Sequence, residues 1–343
     1  MTSEGRPGLT YRAAGVDVDA KARLLDRLGA AVTSTHSPAV ALGAGAFAGA
    51  IGLPAGTGFL VATTDGVGTK ALLARRWGRD AVVGADVVAH AANDLVCSGG
   101  RPLAFLDYVA MARLDAAVVA TLVEAMAEAC GAVGAVLLGG ETAEMPDVYT
   151  GDAYDVVGTM IGVAPPDGLI TGATVRPGDR IVGLASTGLH TNGYSLARRV
   201  VDQAGIDPDA PDPRLGTTAA DALLQPHRCY APAMLSLLER VRVAAIAHIT
   251  GGGLPSNLAR VLPEGCRGRL AGVWPRPPVF DWLQHVGGIA DDEMRQTFNL
   301  GVGMALIVRR RDEATVLEHF ARAALAAFPI GEVVEGPRGV DGP

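Results

Sequence analysis

An apolar run from Gly58 to Ala62 ends in Thr63-Thr64-Asp65-Gly66-Val67-Gly68-Thr69-Lys70, and a helical pattern follows. A buried strand that breaks at glycines and restarts as a helix presents backbone N–H groups, which bind phosphate oxygens. Asp65 at the strand tip is a candidate metal ligand, and Lys70, about one helical turn later, is a candidate counter-charge. The stretch points to a nucleotide-phosphate enzyme. It is not a Walker A loop, which needs four residues between its first Gly and Gly-Lys-[Ser/Thr]. Gly66-x-Gly68-x-x-Ala71, with Asp86 about 20 residues on, does match a dinucleotide-binding turn. In that fold the acid sits at the tip of the second strand, whereas Asp86 lies inside an Ala/Val-rich helical run. A plain tight turn is the remaining reading.

The chain has 343 residues, a length that favours two domains. Hydrophobic residues make up 49% and aromatics only 5%, so tight packing of small side chains is expected in the core. A net charge of −7 and the lack of any long Lys/Arg cluster argue against a nucleic-acid partner. Cys97, Cys130, Cys229 and Cys266 lie far apart without a C-x-x-C pair, the pattern of reduced thiols in a cytoplasmic protein. The N-terminus shows no basic-then-apolar signal. Gly29 to Thr64 contains no Asp, Glu, Lys or Arg, but Pro38, Pro54 and many glycines interrupt it. It reads as a glycine-rich loop, not a membrane span.

Periodicity predicts strands at Phe59–Thr64, Leu103–Met111, Ala135–Leu138 and Tyr154–Val163. It predicts helices at Asp19–Leu28, Thr69–Trp77, Ala81–Cys97 and Asp115–Val133. Turn-rich punctuation from Ala164 to Gly178 suggests a boundary between residues 1–168 and 169–343. Beyond it, strands are expected at Ile181–Ala185, Ala245–Ile249, Val302–Val308 and Ile330–Val334. Helices are expected to open at Tyr194 and to span Ala231–Arg240, Leu254–Val261 and Glu313–Ala327. The class is mixed α/β (α+β).

Four further constellations carry chemistry. Asp86, His90, Asn93, Asp94 and Cys97 recur at spacings of three and four on a helix otherwise built of Ala, Val and Leu. Short polar groups without Lys, Arg or Glu suggest a stripe facing a site or a buried network; an ordinary wet face is the alternative. Leu137-Leu138-Gly139-Gly140-Glu141 reads as a second buried strand ending in glycines and an acid. Asp65, Asp94 and Glu141, if brought together, would need a cation such as Mg²⁺; three unrelated surface acids are the alternative. Ser186-Thr187-Gly188-Leu189-His190-Thr191-Asn192 places hydroxyls and an imidazole between a strand and a helix, suited to proton transfer or phosphate contact. It lacks the G-x-S-x-G elbow of a Ser-His hydrolase. His248-Ile249-Thr250-Gly251-Gly252-Gly253 is either a second anion turn or a simple tight turn.

These motifs occur in one order. Tyr11-Arg12-x-Ala14-Gly15-Val16-Asp17 stands near the start, and Thr297-Phe298-Asn299-x-Gly301-Val302-Gly303-Met304 near the end. Asn93-Asp94-Leu95, Phe105-Leu106-Asp107-Tyr108, Gly139-Gly140-Glu141-Thr142-Ala143-Glu144-Met145-Pro146 and Gly188-Leu189-His190-Thr191-Asn192-Gly193-Tyr194-Ser195 fall between. Together, from about Tyr11 to Val334, they resemble the phosphoribosylformylglycinamidine cyclo-ligase (aminoimidazole ribonucleotide synthetase) family.

The resemblance implies ATP-dependent ring closure, a C-terminal α/β half, and an N-terminal half that pairs in a homodimer to form a β-barrel. It implies ATP contacts at Gly45, Phe47, Gly49, Thr64, Gly66, Gly68, Thr69, Lys70 and Asp107. Substrate contacts would fall at Ser186, Thr187, Gly188, Asn192, Thr250, Gly251, Gly252 and Gly253. His190, Lys70 and Asp65 would be catalytic, and Mg²⁺ would bind Asp65, Asp94 and Glu141. No nucleic-acid or membrane partner is implied. Two departures stand out: Gly45-Ala46-Phe47-Ala48-Gly49 replaces a Gly-Gly-Phe opening, and Leu28-Gly29 stands where some relatives carry a Lys. Selenophosphate synthetase-like or thiamine-phosphate kinase-like enzymes of the same superfamily, or a nucleotide-binding scaffold, are the alternatives. The former would carry a reactive Cys near its N-terminus, and no Cys precedes Cys97.

Overall fold

Along Tyr154–Ala164, buried and half-exposed residues alternate, the period of a strand with one face on a core. Along Val302–Val308 all seven residues are buried, as in a central strand covered on both faces. These strands are the hearts of two six-stranded sheets. The computed structural model describes residues 9–16, 32–43 and 45–342. The helix expected at Asp19–Leu28 and the Leu28-Gly29 departure lie outside the described residues.

The N-terminal sheet contains β1 (Val40–Leu42), β2 (Gly49–Gly52), β3 (Phe59–Gly66), β4 (Arg101–Met111), β5 (Val136–Glu144) and β6 (Tyr154–Ala164). Its strand order is β1-β2-β3-β6-β4-β5. Helices α1 (Lys70–Arg76), α2 (Ala81–Cys97) and α3 (Ala116–Val133) belong to this half. The C-terminal sheet is built from β7 (Arg180–Ala185), β10 (Ala245–His248), β11 (Cys266–Leu270), β12 (Val302–Val308), β13 (Ala327–Glu335) and β14 (Gly339–Asp341), in the order β10-β12-β7-β13-β11-β14. Pro211–Asp212 (β8) and Thr217–Thr218 (β9) form a small separate ladder. The helices of this half are α4 (Tyr194–Ala204), α5 (Ala219–Leu223), α6 (Ala231–Leu238), α7 (Gly253–Ala259), α8 (Pro278–Gly287), α9 (Asp291–Thr297) and α10 (Glu313–Arg322).

Helix α2 joins the two halves. It packs on β3, β4 and β6 and along α3, while also touching β10 and α6 of the other half. Close approach to α3 depends on Gly84, where an added Cβ would fall 2.3 Å from the Leu122 carbonyl oxygen. Asp115 caps α3 by accepting from the N–H groups of Ala117 and Val118, and Gly134 ends it at φ 72°. α3 is long and apolar enough to cross a membrane by length and composition, yet its Val118, Leu122, Met126 and Cys130 are buried.

Several expectations change. The Gly29–Thr64 run, read as a glycine-rich loop ahead of the Phe59 strand, carries the edge strand β1 and its neighbour β2. β5 does not end at its glycines: it runs through Gly139, Gly140 and Glu141 to Glu144, and as an edge strand it is mostly exposed. α10 stops at Arg322 because Ala324 adopts φ 53°, and β13 begins at Ala327. Alanine is the strongest helix former, so nothing local marked that stop. The stretch between Val261 and Val302, unassigned from the sequence, holds β11, α8 and α9.

Gly84→Ala is expected to destabilise the protein by about 1–3 kcal/mol, since α2 and α3 must separate to admit a methyl group. Chemical denaturation measures this; an unchanged midpoint would show that the helices do not meet there.

Candidate active site

The polar stripe of α2 is a buried network between the two halves. Asp86, His90, Asn93 and Asp94 are all buried, as are His190, Thr191, His227 and His248 opposite them. Asn93 holds the facing chain by accepting from Tyr230 N at 2.7 Å and donating to Arg228 O at 2.8 Å.

Lys70 has no exposed surface. Its ammonium donates to Asp86 Oδ2 at 2.5 Å, His190 O at 3.0 Å and Gln225 O at 2.7 Å. The other Asp86 oxygen accepts from His227 N at 2.8 Å. Burial draws Lys70 down and Asp86 up, toward neutrality. Their mutual charge attraction and shared hydrogen bond oppose both shifts and favour the ionised pair. The expectation that Lys70 faces a phosphate does not fit this arrangement, because all its donors are taken within the protein. Asp86, weighed only as a ribose-binding acid or a stripe residue, is its partner.

His190 is held in the left-handed region, φ 62°, with its carbonyl on Lys70. Such strain in a non-glycine residue is characteristic of functional sites. Its Nε2 accepts from Thr187 N at 3.3 Å, so Nδ1 carries the proton, and Nδ1 has no hydrogen-bond partner. The ring stacks on His227 at 4.2 Å. Burial and then the surrounding cationic groups hold His190 well below the ordinary imidazole range, so it is neutral near pH 7.

Protons run one way around the cluster. Asp94 Oδ1 accepts from His248 Nδ1 at 2.7 Å. His248 and His227 are held below the usual imidazole range, chiefly by burial, so each ring carries one proton. His248 Nε2 therefore accepts from His227 Nε2 at 3.0 Å. Asn93 Nδ2 also lies near this His227 nitrogen, at a longer 3.3 Å. His227 Nδ1 then accepts from Thr191 Oγ1 at 3.3 Å, which accepts from His90 Nδ1 at 2.8 Å. His90 Nε2 is left 3.1 Å from Asp65 Oδ2 and 3.6 Å from Asp94 Oδ2. Burial alone would lower the His90 pKa, but Asp65, Asp94 and Asp86 outweigh it and raise it to about 8.

Asp65 and Asp94 thus converge, and Glu141 does not. Register runs Asp65↔Gly158, Gly158↔Asp107 and Asp107↔Gly140. Glu141, beside Gly140, is three strand spacings from Asp65, about 14 Å, and Asp107 two. One ion cannot take all three carboxylates within one chain.

The Gly45–Gly49 loop lies against the other half. Arg260 donates through Nη2 to Gly45 O at 3.1 Å and Ala46 O at 3.2 Å, and sits 4.0 Å over the Phe47 ring. Gly45 takes φ 99°, whereas Ala46 and Ala48 avoid positive φ, so the alanines carry no backbone strain. The loop, Cys97, Ser98, Thr171 and Arg260 line a cavity of about 260 Å³. Thr64 bonds Gly158 O and Thr159, and Thr69 meets Ser195 across the halves at 3.1 Å.

Among the expected substrate contacts, Ser186 donates to Asn299 Oδ1 at 2.8 Å and Thr187 Oγ1 to Pro226 O at 2.6 Å. A Cβ on Gly251 would lie 3.3 Å from Asn192 Oδ1, so those two turns are neighbours. Asn257 Nδ2 fastens the glycine turn by donating to Thr250 O, Gly251 O and Gly253 O. The sequence reading missed His227, Asn257 and Arg260, which lie outside any glycine-rich motif.

Lys70→Met is expected to cost about 3–5 kcal/mol by leaving the Asp86 carboxylate buried and uncompensated. Lys70→Met/Asp86→Leu should cost less than the sum of the single changes. Additive losses in chemical denaturation would rule out a coupled pair.

Residues 45–164 match the AIR synthase related protein N-terminal domain, and residues 176–341 the corresponding C-terminal domain. A phosphoribosylformylglycinamidine cyclo-ligase of Myxococcus xanthus is 44% identical over 334 residues, covering 96% of this chain and 97% of the relative. Two solved structures share the fold at low identity. Protein tt0281 of Thermus thermophilus aligns with TM-score 0.63 at 22% identity, over 94% of this chain and 98% of the other. PurL of T. maritima complexed with AMPPCP aligns with TM-score 0.56 at 17% identity, over 83% of this chain and 42% of the other. The chain, an enzyme by its relatives, belongs to the phosphoribosylformylglycinamidine cyclo-ligase family.

Proposed function

We propose that this chain uses ATP to close formylglycinamidine ribonucleotide to aminoimidazole ribonucleotide, ADP and phosphate, with His190 at the reacting amide. The single observation that carries His190's role is its buried, unpartnered Nδ1–H. Amide oxygen is a poor leaving group. It attacks the γ-phosphorus, ADP departs, and an iminophosphate results. The ribose-linked amidine nitrogen then attacks that carbon, the C–O bond breaks and phosphate leaves. Loss of a proton completes the aromatic ring. A neutral His190 donating through Nδ1 would orient and polarise the amide without adding charge. Lys70 acts behind it, holding the His190 carbonyl.

Asp65 and Asp94 fit a divalent ion such as Mg²⁺, which when bound neutralises phosphate charge. The Gly45–Gly49 loop and the Gly66–Thr69 turn are our choice for ATP contact, and Thr250–Gly253 with Asn192 for the substrate.

We further read the protein as a cytoplasmic homodimer. Register places Ile51, Leu60 and Val163 in one row of the N-terminal sheet, and Ile161, Ala104 and Val136 in the next. Ile51, Leu60, Val163 and Val136 are exposed, on the face opposite α2 and α3. Apolar patches of this kind mark interaction surfaces, and face-to-face packing of two such sheets would cover them.

Purified protein should form the aminoimidazole product with Mg-ATP and substrate, and absence of turnover by folded protein would refute this function. His190→Ala should lower kcat by roughly 10²-fold; wild-type turnover would remove its role. Leu60→Glu/Ile161→Glu should halve the mass measured by light scattering, and a monomeric parent protein would exclude the dimer.

A further inference from the structure

Arg228 follows His227, whose ring stacks on His190 at 4.2 Å, and Asn93 fixes its backbone by donating to its carbonyl oxygen at 2.8 Å. The side chain is half-buried, and its Nε is shielded from solvent without a hydrogen-bond partner. No carboxylate among the described residues pairs with its guanidinium. Arginine cannot shed its proton, so a buried N–H of this group without an acceptor is costly.

The charge of Arg228 reaches two rings. Burial, His248, Lys70 and Arg228, in that order, hold His190 below the usual imidazole range. Burial raises the Tyr230 phenol, and Arg228 opposes it. The two rings lie 6.0 Å apart, and both rest on β12 at Gly303, where a Cβ would fall 2.5 Å from His190 Cε1 and 2.0 Å from the Tyr230 oxygen. Tyr230 is committed, donating to Ala185 O at 2.9 Å. His190 Nδ1–H and Arg228 Nε–H are left as donors without acceptors.

Such a pair fits an oxygen-rich group of negative charge. Cyclo-ligase chemistry creates one at this place. The reacting amide is neutral until its oxygen bonds the γ-phosphorus and the bond to ADP breaks. Later the carbon–oxygen bond breaks and inorganic phosphate leaves. Lys70 is spent on Asp86 and two carbonyls, His90 faces Asp65 and Asp94, and His190 is neutral. Arg228 is the uncommitted cation of this group. We propose that Arg228 is a further catalytic residue, whose guanidinium donates to the transferred phosphoryl group beside His190 until that group leaves as phosphate. It keeps its own proton throughout. The proposal rests on the cyclo-ligase reading for the phosphoryl donor, yet either can fail alone.

In the full-length protein, Arg228→Ala should lower kcat about 10²-fold or more, with KM for ATP and for the ribonucleotide within about threefold of the parent. Added guanidinium should restore part of the rate, which it would not do after a merely structural loss. In phosphorus NMR without nucleotide, the parent protein should broaden the inorganic phosphate line, and the variant should bind phosphate at least about tenfold more weakly. If Arg228→Ala fails to fold by circular dichroism, Arg228→Lys takes its place, because Lys keeps the charge but lacks the planar fork. Unchanged kcat, a raised KM for the ribonucleotide alone, or undiminished phosphate broadening overturns the proposal. No turnover by the parent protein overturns the cyclo-ligase reading instead, and the phosphate measurement then decides the role of Arg228.

Discussion

The buried Lys70–Asp86 pair of the N-terminal half fastens that half to the other through the backbone groups it binds there. Both groups are fully buried, where an unpaired charge costs several kcal/mol. Each is satisfied by the other and by the opposite half: the ammonium by the carbonyls of His190 and Gln225, the carboxylate by the His227 amide. The pair is therefore less a source of net stability than a register pin. Any slide of one half over the other would strand a charge, so the His190 loop is held at one position relative to α2.

That register lets α2 act as the floor of the site. Its polar side chains meet two histidines and a threonine from elsewhere in the chain, and a low dielectric makes each unpaired group costly. Because Asp94 accepts and never donates, the protons order themselves through four side chains and end at His90. Two features follow from one buried network. The carboxylates at its end raise His90 to about 8, and His190 stands beside the cluster as a neutral ring with a spare donor.

The sheet faces divide the remaining work. One face of the N-terminal sheet receives α2 and α3. The other carries Leu60, Val163 and Val136 in solvent, and the C-terminal sheet meets the first half through α2 and β10. Arg260 extends that contact to the Gly45–Gly49 loop, so the candidate nucleotide loop is fastened from the opposite half.

Much of this was legible in the sequence because its signals are local. Period 3.6 from Ala81 to Cys97 and period 2 from Tyr154 to Val163 follow from side-chain burial, and both elements appear where the pattern puts them. The missing Lys, Arg and Glu on α2 likewise marked its stripe as unusual, since a wet face would carry them. The ordered motifs were sufficient to place the chain among the cyclo-ligases. What the sequence could not decide is what each polar side chain faces. Lys70 looked like a phosphate ligand because its motif is local, while its three acceptors are 16, 120 and 155 residues away. Glu141 looked like a partner of Asp65 because both follow apolar runs, while strand order puts two strands between theirs. His227 joined the site without any motif, because only folding brings its ring between His190 and His248. Periodicity records which faces are buried; tertiary packing alone assigns the partners of the charges buried there.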